Sequence, residues 1–306
     1  MEKYDIGLAY IWKFDKEFIN LIEQNLQFHG LTTFIIGEHN IHEVAERLYN
    51  KSIGFRCYLD RAWDADPNFE ELGKMAVKRK TLMLNPYKFV HHAIDKATMH
   101  LEFITAGINV PYSIIIPPKS QSDSIKISVS DLALLGRPFI IKPCNTTGGG
   151  TGVVTGAESL DEILTERHNF GDDKYILQEK IYPAMLDSKR AWLRCFWAFG
   201  KVFASWWDDQ THIYSILTED EIKYFRLRKL FTITKTIARI TGLDFFSTEI
   251  VLAKNGKFIA IDYVNDMCDM RFQSSHPDGA PDELIAGMVD NLRRYVSKLK
   301  KIGRNL

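Results

Sequence analysis

Residues 140–154 read IIKPCNTTGGGTGVV: an apolar run carries one lysine, Lys142, and then meets a glycine-rich segment. The run favours a β-strand, because β-branched apolar residues pack well on a pleated surface. Glycine lets backbone N–H groups approach phosphate oxygens closely. The glycines concerned are Gly148, Gly149, Gly150 and Gly152.

Two common phosphate-binding motifs do not fit this stretch. The Walker A pattern GxxxxGK[ST] has its lysine after the glycines, whereas Lys142 precedes them. The dinucleotide pattern GxGxxG needs a glycine at Thr155 and follows the first strand of its fold, whereas this loop lies in mid-chain. A glycine run alone is more typical of a surface loop, and a lone strand lysine of an edge strand. The order of strand lysine, glycine loop and strand is more specific, since such a hairpin can fold over a triphosphate.

The first 85 residues alternate between strand and helix patterns with short connections, which predicts a parallel sheet covered by helices. A ligand crevice is expected at the strand ends. The predicted strands span 4–11, 31–37, 53–60 and 81–85, and the predicted helices span 14–30, 40–51 and 67–80.

The pattern after residue 90 favours helices combined with antiparallel hairpins. An Asn255-Gly256 turn joins two apolar strands, which is a strong hairpin signal. We therefore predict an α/β fold that becomes α+β in its C-terminal part. The predicted helices span 91–108, 160–169, 221–242 and 282–301, and the predicted hairpins span 192–207 and 245–265.

Composition excludes several classes of function. Lys+Arg and Asp+Glu both total 39, so a broad nucleic-acid-binding surface is not expected. No apolar run approaches the roughly 18–20 residues of a membrane span, and the N-terminus lacks a signal-peptide core. The four cysteines are far apart and form no zinc spacing, which favours reduced thiols in a cytoplasmic protein.

Four further stretches accompany the opening one in a fixed order. They are AIDKATMHLEFITAGINVPYS (93–113), LQEKI (177–181), WLRCFWAFGKV (192–202) and the hairpin that ends in IDYVN (261–265). Together with the glycine hairpin they resemble the ATP-grasp superfamily, which includes D-alanine–D-alanine ligases, glutathione synthetases and ribosomal-protein glutamate ligases. The resemblance covers roughly residues 80 to 300. It implies three lobes, here 1–90, 91–176 and 177–306, with ATP between the last two.

The resemblance also implies roles for individual residues. Lys96 would contact a phosphate, Lys142 would bind the α- and β-phosphates, and the four glycines would form a lid over the β- and γ-phosphates. Arg194 would reach the transferred phosphate, and Arg271 would bind a substrate carboxylate. The adenine hinge would comprise Gln178, Glu179, Lys180 and Ile181. The metal ligands would be Glu249, Asp262 and Asn265.

Taken singly, several of these residues have simpler interpretations. The Asp95-Lys96 pair could lie on a solvated helix face. Arg194 could neutralise a buried carboxylate, and Arg271 could form a surface salt bridge.

The metal hairpin departs from the family pattern. The family ends this hairpin with Glu-x-Asn, whereas this chain has one extra residue in Asp262-Tyr-Val-Asn265. If Asn265 keeps its register, Tyr263 takes the glutamate position and is a poor Mg²⁺ ligand. If a β-bulge absorbs the extra residue, Asp262 takes that position, and we favour this arrangement. Asp266 and Asp269 are reserve ligands whose simpler interpretation is turn formation.

These features predict an ATP- and Mg²⁺-dependent carboxylate–amine ligase that acts through an acyl phosphate. The resemblance implies two Mg²⁺ ions, with Mn²⁺ as an alternative. It also implies small-molecule or peptide substrates that supply the carboxylate and the amine, and it allows a homodimer. The alternatives are an ATP-grasp kinase, a nucleotide-binding regulatory protein without turnover, and a ligase that modifies peptides or proteins.

Overall fold

A computed structural model describes residues 1–122, 124–145, 152–169 and 172–302, with backbone only for residues 168 and 169. Gly148, Gly149 and Gly150 lie outside these ranges, so the predicted lid is described only at Gly152. Among the described helices, none combines the length and the apolar character that crossing a membrane requires.

The first sheet is parallel, as the alternating pattern predicts, with strand order β2-β1-β3-β4. Asp66 accepts a hydrogen bond from the backbone of Asn68 and so begins α3. The strands are β1 Glu2–Tyr10, β2 Thr33–Ile36, β3 Ile53–Arg61 and β4 Leu82–Leu84. The helices are α1 Lys16–Phe28, after a short 3-10 helix at Lys13–Asp15, then α2 Ile41–Tyr49 and α3 Pro67–Lys78.

The central sheet is antiparallel, with strand order β5-β8-β6-β7. The single helix predicted over 91–108 is wrong: Asp95 caps a new helix by accepting hydrogen bonds from Ala97 N and Thr98 N, which separates α4 from α5. The strands are β5 Ser113–Ile116, β6 Phe139–Pro143, β7 Val154–Ala157 and β8 Tyr175–Glu179. The helices are α4 Tyr87–Ala93, α5 Lys96–Thr105, α6 Val129–Leu135 and α7 Leu160–Asn169.

The C-terminal sheet is also antiparallel, with strand order β13-β12-β11-β14-β15. The long helix predicted over 221–242 is two helices, because Arg226 adopts a left-handed φ of 57° and turns the chain so that Leu227 enters the core. The strands of this sheet are β11 Trp192–Ala198, β12 Lys201–Trp207, β13 Tyr214–Ile216, β14 Phe245–Leu252 and β15 Phe258–Asn265. A separate antiparallel pair precedes them, with β9 Met185–Leu186 and β10 Lys189–Arg190. The helices are α8 Glu219–Tyr224, α9 Lys229–Thr241 and α10 Asp282–Lys301.

The last helix belongs to the core of the first sheet as well as to that of the C-terminal sheet. Val296 and Leu299 of α10 are buried in one cluster with Ile6 of β1 and Ile22 of α1. The other face of the first sheet is covered by α2 and α3. The apolar stripe of α10 therefore bridges two of the predicted lobes, whose boundaries stay a prediction.

A buried ion pair joins the first sheet to the segment that follows β15. Arg61, at the end of β3, donates to Asp15 at 2.9 and 2.7 Å and to the backbone oxygen of Cys268 at 2.8 Å. Both charged side chains are only 3% exposed. The guanidinium also lies 5.4 Å from the Phe18 ring centre.

Asp60 is a second buried carboxylate at the same strand end. It accepts hydrogen bonds from the backbone N–H of Ala62 at 2.9 Å and of Trp63 at 3.1 Å, and from the Tyr87 hydroxyl. Burial nevertheless raises the pKa of Asp60 to about 6. The folded protein therefore binds this proton more tightly than the unfolded chain does.

This difference predicts how stability depends on pH. Between the unfolded pKa of about 3.9 and the folded pKa of about 6, the folded state holds more protons, so the free energy of unfolding falls as pH rises. Asp60→Asn has no carboxyl group to titrate at this position. Its free energy of unfolding relative to that of wild type should therefore rise by about 2–3 kcal/mol between pH 4 and pH 8. Urea unfolding at several pH values measures the difference. Asp187→Asn, at an exposed turn, is the control, and parallel profiles for wild type and Asp60→Asn would contradict the prediction.

Candidate nucleotide and metal site

One row of charged side chains crosses one face of the C-terminal sheet. Arg194 of β11 is directly opposite Glu249 of β14, and Glu249 is directly opposite Asp262 of β15. Directly opposed residues on antiparallel strands project from the same face. The pairing of Glu249 with Asp262 agrees with the prediction, although it requires a register shift, because the neighbouring Ile250 pairs with Ala260. We call these three residues the charged row.

The predicted bulge is present in β15. Ser247 pairs with Asn265, and Glu249 pairs with Asp262. The chain therefore advances two residues on β14 between these pairs but three residues on β15. The extra residue is absorbed between Asp262 and Asn265, and both of these share the face of the charged row. Tyr263 turns the other way and is only 2% exposed. The alternative in which Tyr263 takes the glutamate position therefore does not match this register.

Arg194 and Trp192 hold the side chain of Glu249. Arg194 donates to Glu249 Oε1 at 2.7 Å, and Trp192 Nε1 donates to Glu249 Oε2 at 3.0 Å. Arg194 also contacts Ser247 Oγ at 3.2 Å and lies 5.7 Å from the Trp207 ring centre. Arg194 thus neutralises a buried carboxylate, which was the simpler interpretation of its sequence position.

Two lysines approach the charged row from the central sheet and α5. Lys142 is buried near the end of β6, and its Nζ lies 3.4 Å from the backbone oxygen of Ile261, the residue before Asp262. Lys96 is the first residue of α5, and its backbone N–H donates to Cys144 O just beyond β6. Its partner Asp95 caps α5 and forms an ion pair with Lys174, so this pair is not simply a solvated helix face.

The charges of the site shift the pKa values of its two carboxylates in opposite directions. Burial raises the pKa of Glu249, and the neighbouring charge of Asp262 adds to the rise although Arg194 opposes it. Burial alone would raise the pKa of Asp262, but Lys142, Lys96 and Arg194 together hold its pKa below the usual value. Burial also lowers the pKa of Lys142, against the effect of both carboxylates. Asp262 is therefore the carboxylate of the pair most strongly held in its ionised form.

The donor set suits Mg²⁺. Glu249 and Asp262 offer carboxylate oxygens and Asn265 offers an amide oxygen, which are ligands that Mg²⁺ prefers. Glu249 keeps further lone pairs while it accepts from Arg194 and Trp192. Among the described residues, no three His, Cys, Asp or Glu side chains are grouped to hold a metal, so Asn265 or a bound phosphate would have to complete the coordination.

The predicted hinge is only partly open to a ligand. Glu179 donates its backbone N–H to Tyr112 O at 2.9 Å, and its carboxylate accepts from Tyr112 N at 2.8 Å. Gln178 is buried, and its side chain donates to the Tyr263 hydroxyl. In the described part of the chain, Lys180 and Ile181 donate their backbone N–H groups to no other backbone oxygen. These two residues are therefore the better candidates for contact with a base.

The described flanks of the glycine segment agree with the predicted strand–loop–strand order. β6 and β7 form an antiparallel pair in which Ile141 is opposite Val154, so the glycine segment connects paired strands. Gly152 adopts a φ of 73°, a region that favours glycine. Asn145, just after β6, is held by two hydrogen bonds to Asp173.

Arg271 lies in a double ion pair. Its guanidinium donates to Asp269 at 2.6 and 2.8 Å and to Asp278 at 2.8 and 3.2 Å. The surface salt bridge that the sequence left open is therefore formed, and it includes Asp269, one of the reserve ligands. Asp269 and Asp278 compete with a substrate carboxylate for this guanidinium, so the substrate role of Arg271 loses support.

Two contributors to the site were not predicted from the sequence. Trp192 and Ser247 lie two residues from Arg194 and Glu249, so strand alternation could have identified them. Asp266, a predicted reserve ligand, accepts a hydrogen bond from Trp63 Nε1 at 3.2 Å, a long-range contact that the sequence does not signal. Of the adjacent Trp206 and Trp207, the first is in the core and the second lies beside Arg194.

The fold and this site can be compared with known proteins. Neither a protein-family model nor a curated protein matches the sequence. Solved structures do match, at low sequence identity. D-alanine–D-alanine ligase from Bacillus anthracis complexed with ATP superimposes with a TM-score of 0.65 at 14% identity, covering 99% of each chain. The chain has the ATP-grasp fold.

Other ATP-grasp structures match over similar lengths. VanG D-Ala:D-Ser ligase from Enterococcus faecalis gives a TM-score of 0.62 at 14% identity and covers 96% of this chain and 99% of its own. The ATP-grasp ligase PsnB, complexed with a minimal precursor, Mg and ADP, gives 0.60 at 15% identity and covers 96% and 98%. In this ATP-grasp fold the charged row and Lys142 belong to different sheets and meet at their junction.

Proposed function

We propose that the chain is an ATP- and Mg²⁺-dependent carboxylate–amine ligase whose substrates are small amino acids or peptides. One observation carries the proposal: in an ATP-grasp fold, Asp262 and Glu249 share one face with Asn265 and lie close to the buried Lys142. The matched ligases act on D-amino acids or on a precursor peptide according to their names, which supports this substrate class.

Each residue has a separate task in the proposed reaction. Lys142 and Lys96 would hold phosphate oxygens, and Lys180 and Ile181 would contact the base. The ion held by Glu249, Asp262 and Asn265 would neutralise phosphate charge and orient the γ-phosphoryl group. Arg194, between Ser247 and Glu249, would stabilise the charge that develops on the transferred phosphoryl group.

The proposed chemistry is the joining of an acid to an amine. A substrate carboxylate attacks the γ-phosphorus and forms an acyl phosphate with release of ADP. The amine then attacks the acyl carbon, and inorganic phosphate leaves as the amide forms. Positioning and electrostatics would supply most of the catalysis, so no protein nucleophile is needed.

Several accompanying features are also proposals. They are the lobe boundaries near residues 90 and 176, the lid role of the glycine segment, two Mg²⁺ ions with Mn²⁺ as a substitute, a homodimer, and a cytoplasmic location. The substrate role of Arg271 is not part of the proposal, because its ion pairs occupy the guanidinium.

A second candidate is a nucleotide-binding protein without turnover. One observation favours it: both carboxylate oxygens of Glu249 already accept hydrogen bonds from protein groups. Such a protein would bind ATP without releasing ADP.

The deciding experiment measures ADP release from MgATP with pools of amino acids and short peptides, singly and in pairs. We expect release that requires an acid and an amine, together with a new amide detected by mass spectrometry. Lys142→Ala should lower the rate by about 100-fold or more, because a preorganised charge on the phosphates is lost. Lys254→Ala, at an exposed turn, is the matched control.

The other outcomes distinguish the rivals. ADP release with one substrate and no amide would indicate a kinase. Nucleotide binding without ADP release in any pool would favour the regulatory protein. Equal rates for Lys142→Ala and Lys254→Ala would remove Lys142 from the site.

A further inference from the structure

Tyr263 and Val264 separate Asp262 from Asn265 where the Glu-x-Asn spacing has one residue, and the side chain of Tyr263 lies on the buried side of β15. It packs in one core cluster with Leu193 and Ile250, which alternate with the residues of the charged row. Its ring also makes an edge contact with Phe103 of α5, at 5.1 Å between ring centres. Asp262 and Tyr263 therefore project from opposite faces of the same strand.

The hydroxyl of Tyr263 has two buried partners. Gln178 Nε2 donates to it at 2.8 Å, and His100 Nδ1 lies 2.6 Å away. Since the amide nitrogen can only donate, the hydroxyl accepts from Gln178, and the tautomer of His100 decides which atom donates in the second hydrogen bond. Tyr263 and Gln178 are each 2% exposed, and His100 is 5% exposed. Water therefore cannot replace either partner of the hydroxyl unless the surrounding side chains move.

These contacts join three elements that carry the proposed site. His100 belongs to α5, which begins at Lys96, and Gln178 belongs to β8, which ends at the hinge. Tyr263 follows Asp262 directly. One buried hydroxyl thus connects the phosphate lysine helix, the hinge strand and the metal hairpin.

The bulge of β15 explains why such a connection is needed. β15 departs from regular pairing with β14 on both sides of Asp262, so the ladder is interrupted where the orientation of Asp262 is set. A slip by one residue would turn every side chain to the other face. Asp262 would then enter the core, and the Tyr263 hydroxyl would lose both partners, which opposes the slip.

We propose that Tyr263 is a positioning residue that holds the bulge of β15 in the register that directs Asp262 toward Glu249. His100 and Gln178 fix its hydroxyl, and the hydroxyl fixes the strand. The inference rests on the proposed function, because it assigns Asp262 to the metal site.

The test is the affinity of the whole chain for Mn²⁺, measured from the electron paramagnetic resonance signal of the free ion. Tyr263→Phe keeps the ring and removes the hydroxyl. We expect its Mn²⁺ dissociation constant to rise about tenfold, which corresponds to about 1.4 kcal/mol. Tyr175→Phe is the matched control, because Tyr175 is a buried tyrosine of β8 whose hydroxyl donates to Glu166 O at 2.7 Å.

A second variant separates positioning from general stability. His100→Leu removes one partner and leaves Tyr263 in place, so the dissociation constant should rise in the same direction. The double variant Tyr263→Phe/His100→Leu should bind Mn²⁺ no more weakly than Tyr263→Phe alone, because both changes remove the same hydrogen bond. If the increases in the Mn²⁺ dissociation constant of the two single variants multiply in the double variant, the proposal is wrong.

Two further results would also overturn it. One is an unchanged Mn²⁺ dissociation constant in Tyr263→Phe, and the other is an equal rise in Tyr175→Phe. If the wild-type chain binds no Mn²⁺ at all, the proposed metal site fails first, and this outcome is distinct from a failure of Tyr263 alone.

Discussion

Replacing Asp262 with asparagine is expected to lower MgATP-dependent ADP release about 100-fold or more. The change keeps an oxygen at the bulge and nearly the same volume, so the register of β15 should survive. It removes the negative charge that faces Lys142, Lys96 and Arg194, which together hold the pKa of Asp262 below its usual value. The metal site loses its ionised ligand. Lys142 also loses a carboxylate charge that counteracts the effect of burial on its pKa.

Steady-state rates at several Mg²⁺ concentrations measure this effect. We expect the Mg²⁺ concentration for half-maximal rate to rise and the maximal rate to fall, because the ion acts both in binding and in orienting the γ-phosphoryl group. Asp187→Asn is the control for the same chemical change at an exposed turn. Activity of Asp262→Asn within threefold of this control would exclude Asp262 as a metal ligand.

Replacing Arg61 with methionine is expected to lower the free energy of unfolding by about 3–5 kcal/mol. Arg61 makes three hydrogen bonds in the core, two to Asp15 and one to Cys268 O. Methionine fills much of the same volume but leaves the Asp15 carboxylate buried without its cation. The cost arises mainly from that unpaired charge, since the pair itself contributes little beyond what an apolar pair would.

The double variant Arg61→Met/Asp15→Leu tests this explanation. It removes both charges, so most of the lost stability should return. Urea unfolding followed by tryptophan fluorescence compares wild type, the single variant and the double variant. If Arg61→Met lowers the free energy of unfolding by less than about 1 kcal/mol, this pair is no stronger than a surface ion pair and the prediction is wrong.

The sequence predicted the elements of the site better than their contacts. The Asn255-Gly256 turn predicted that Glu249 and Asp262 lie opposite each other, and they do. A register shift beside Ile250, which no local pattern reports, is needed to bring them there. The extra residue before Asn265 required a choice between register and bulge. Burial of Tyr263 against α5 decides that choice, and no local pattern reports it.

The errors share a physical cause. A continuous helical pattern over 91–108 hides the break at Asp95, because capping by one side chain competes with helix propensity only when tertiary contacts favour the break. For Arg271 the sequence left a substrate role and a salt bridge open, and the ion pairs with Asp269 and Asp278 favour the second. Long-range pairs such as Trp63 with Asp266 arise only once the lobes meet.

The position of α10 has a consequence for biosynthesis. Val296 and Leu299 complete the apolar cluster around β1 and α1. The core of β1 and α1 is therefore incomplete until residues nearly 300 positions later have been synthesised. While the ribosome still holds α10, the first sheet exposes the part of its apolar face that α1 leaves uncovered, and its strands are candidates for chaperone binding or misassembly. Cotranslational folding of the first sheet should therefore be completed only after α10 has emerged, whereas the central sheet has a core of its own.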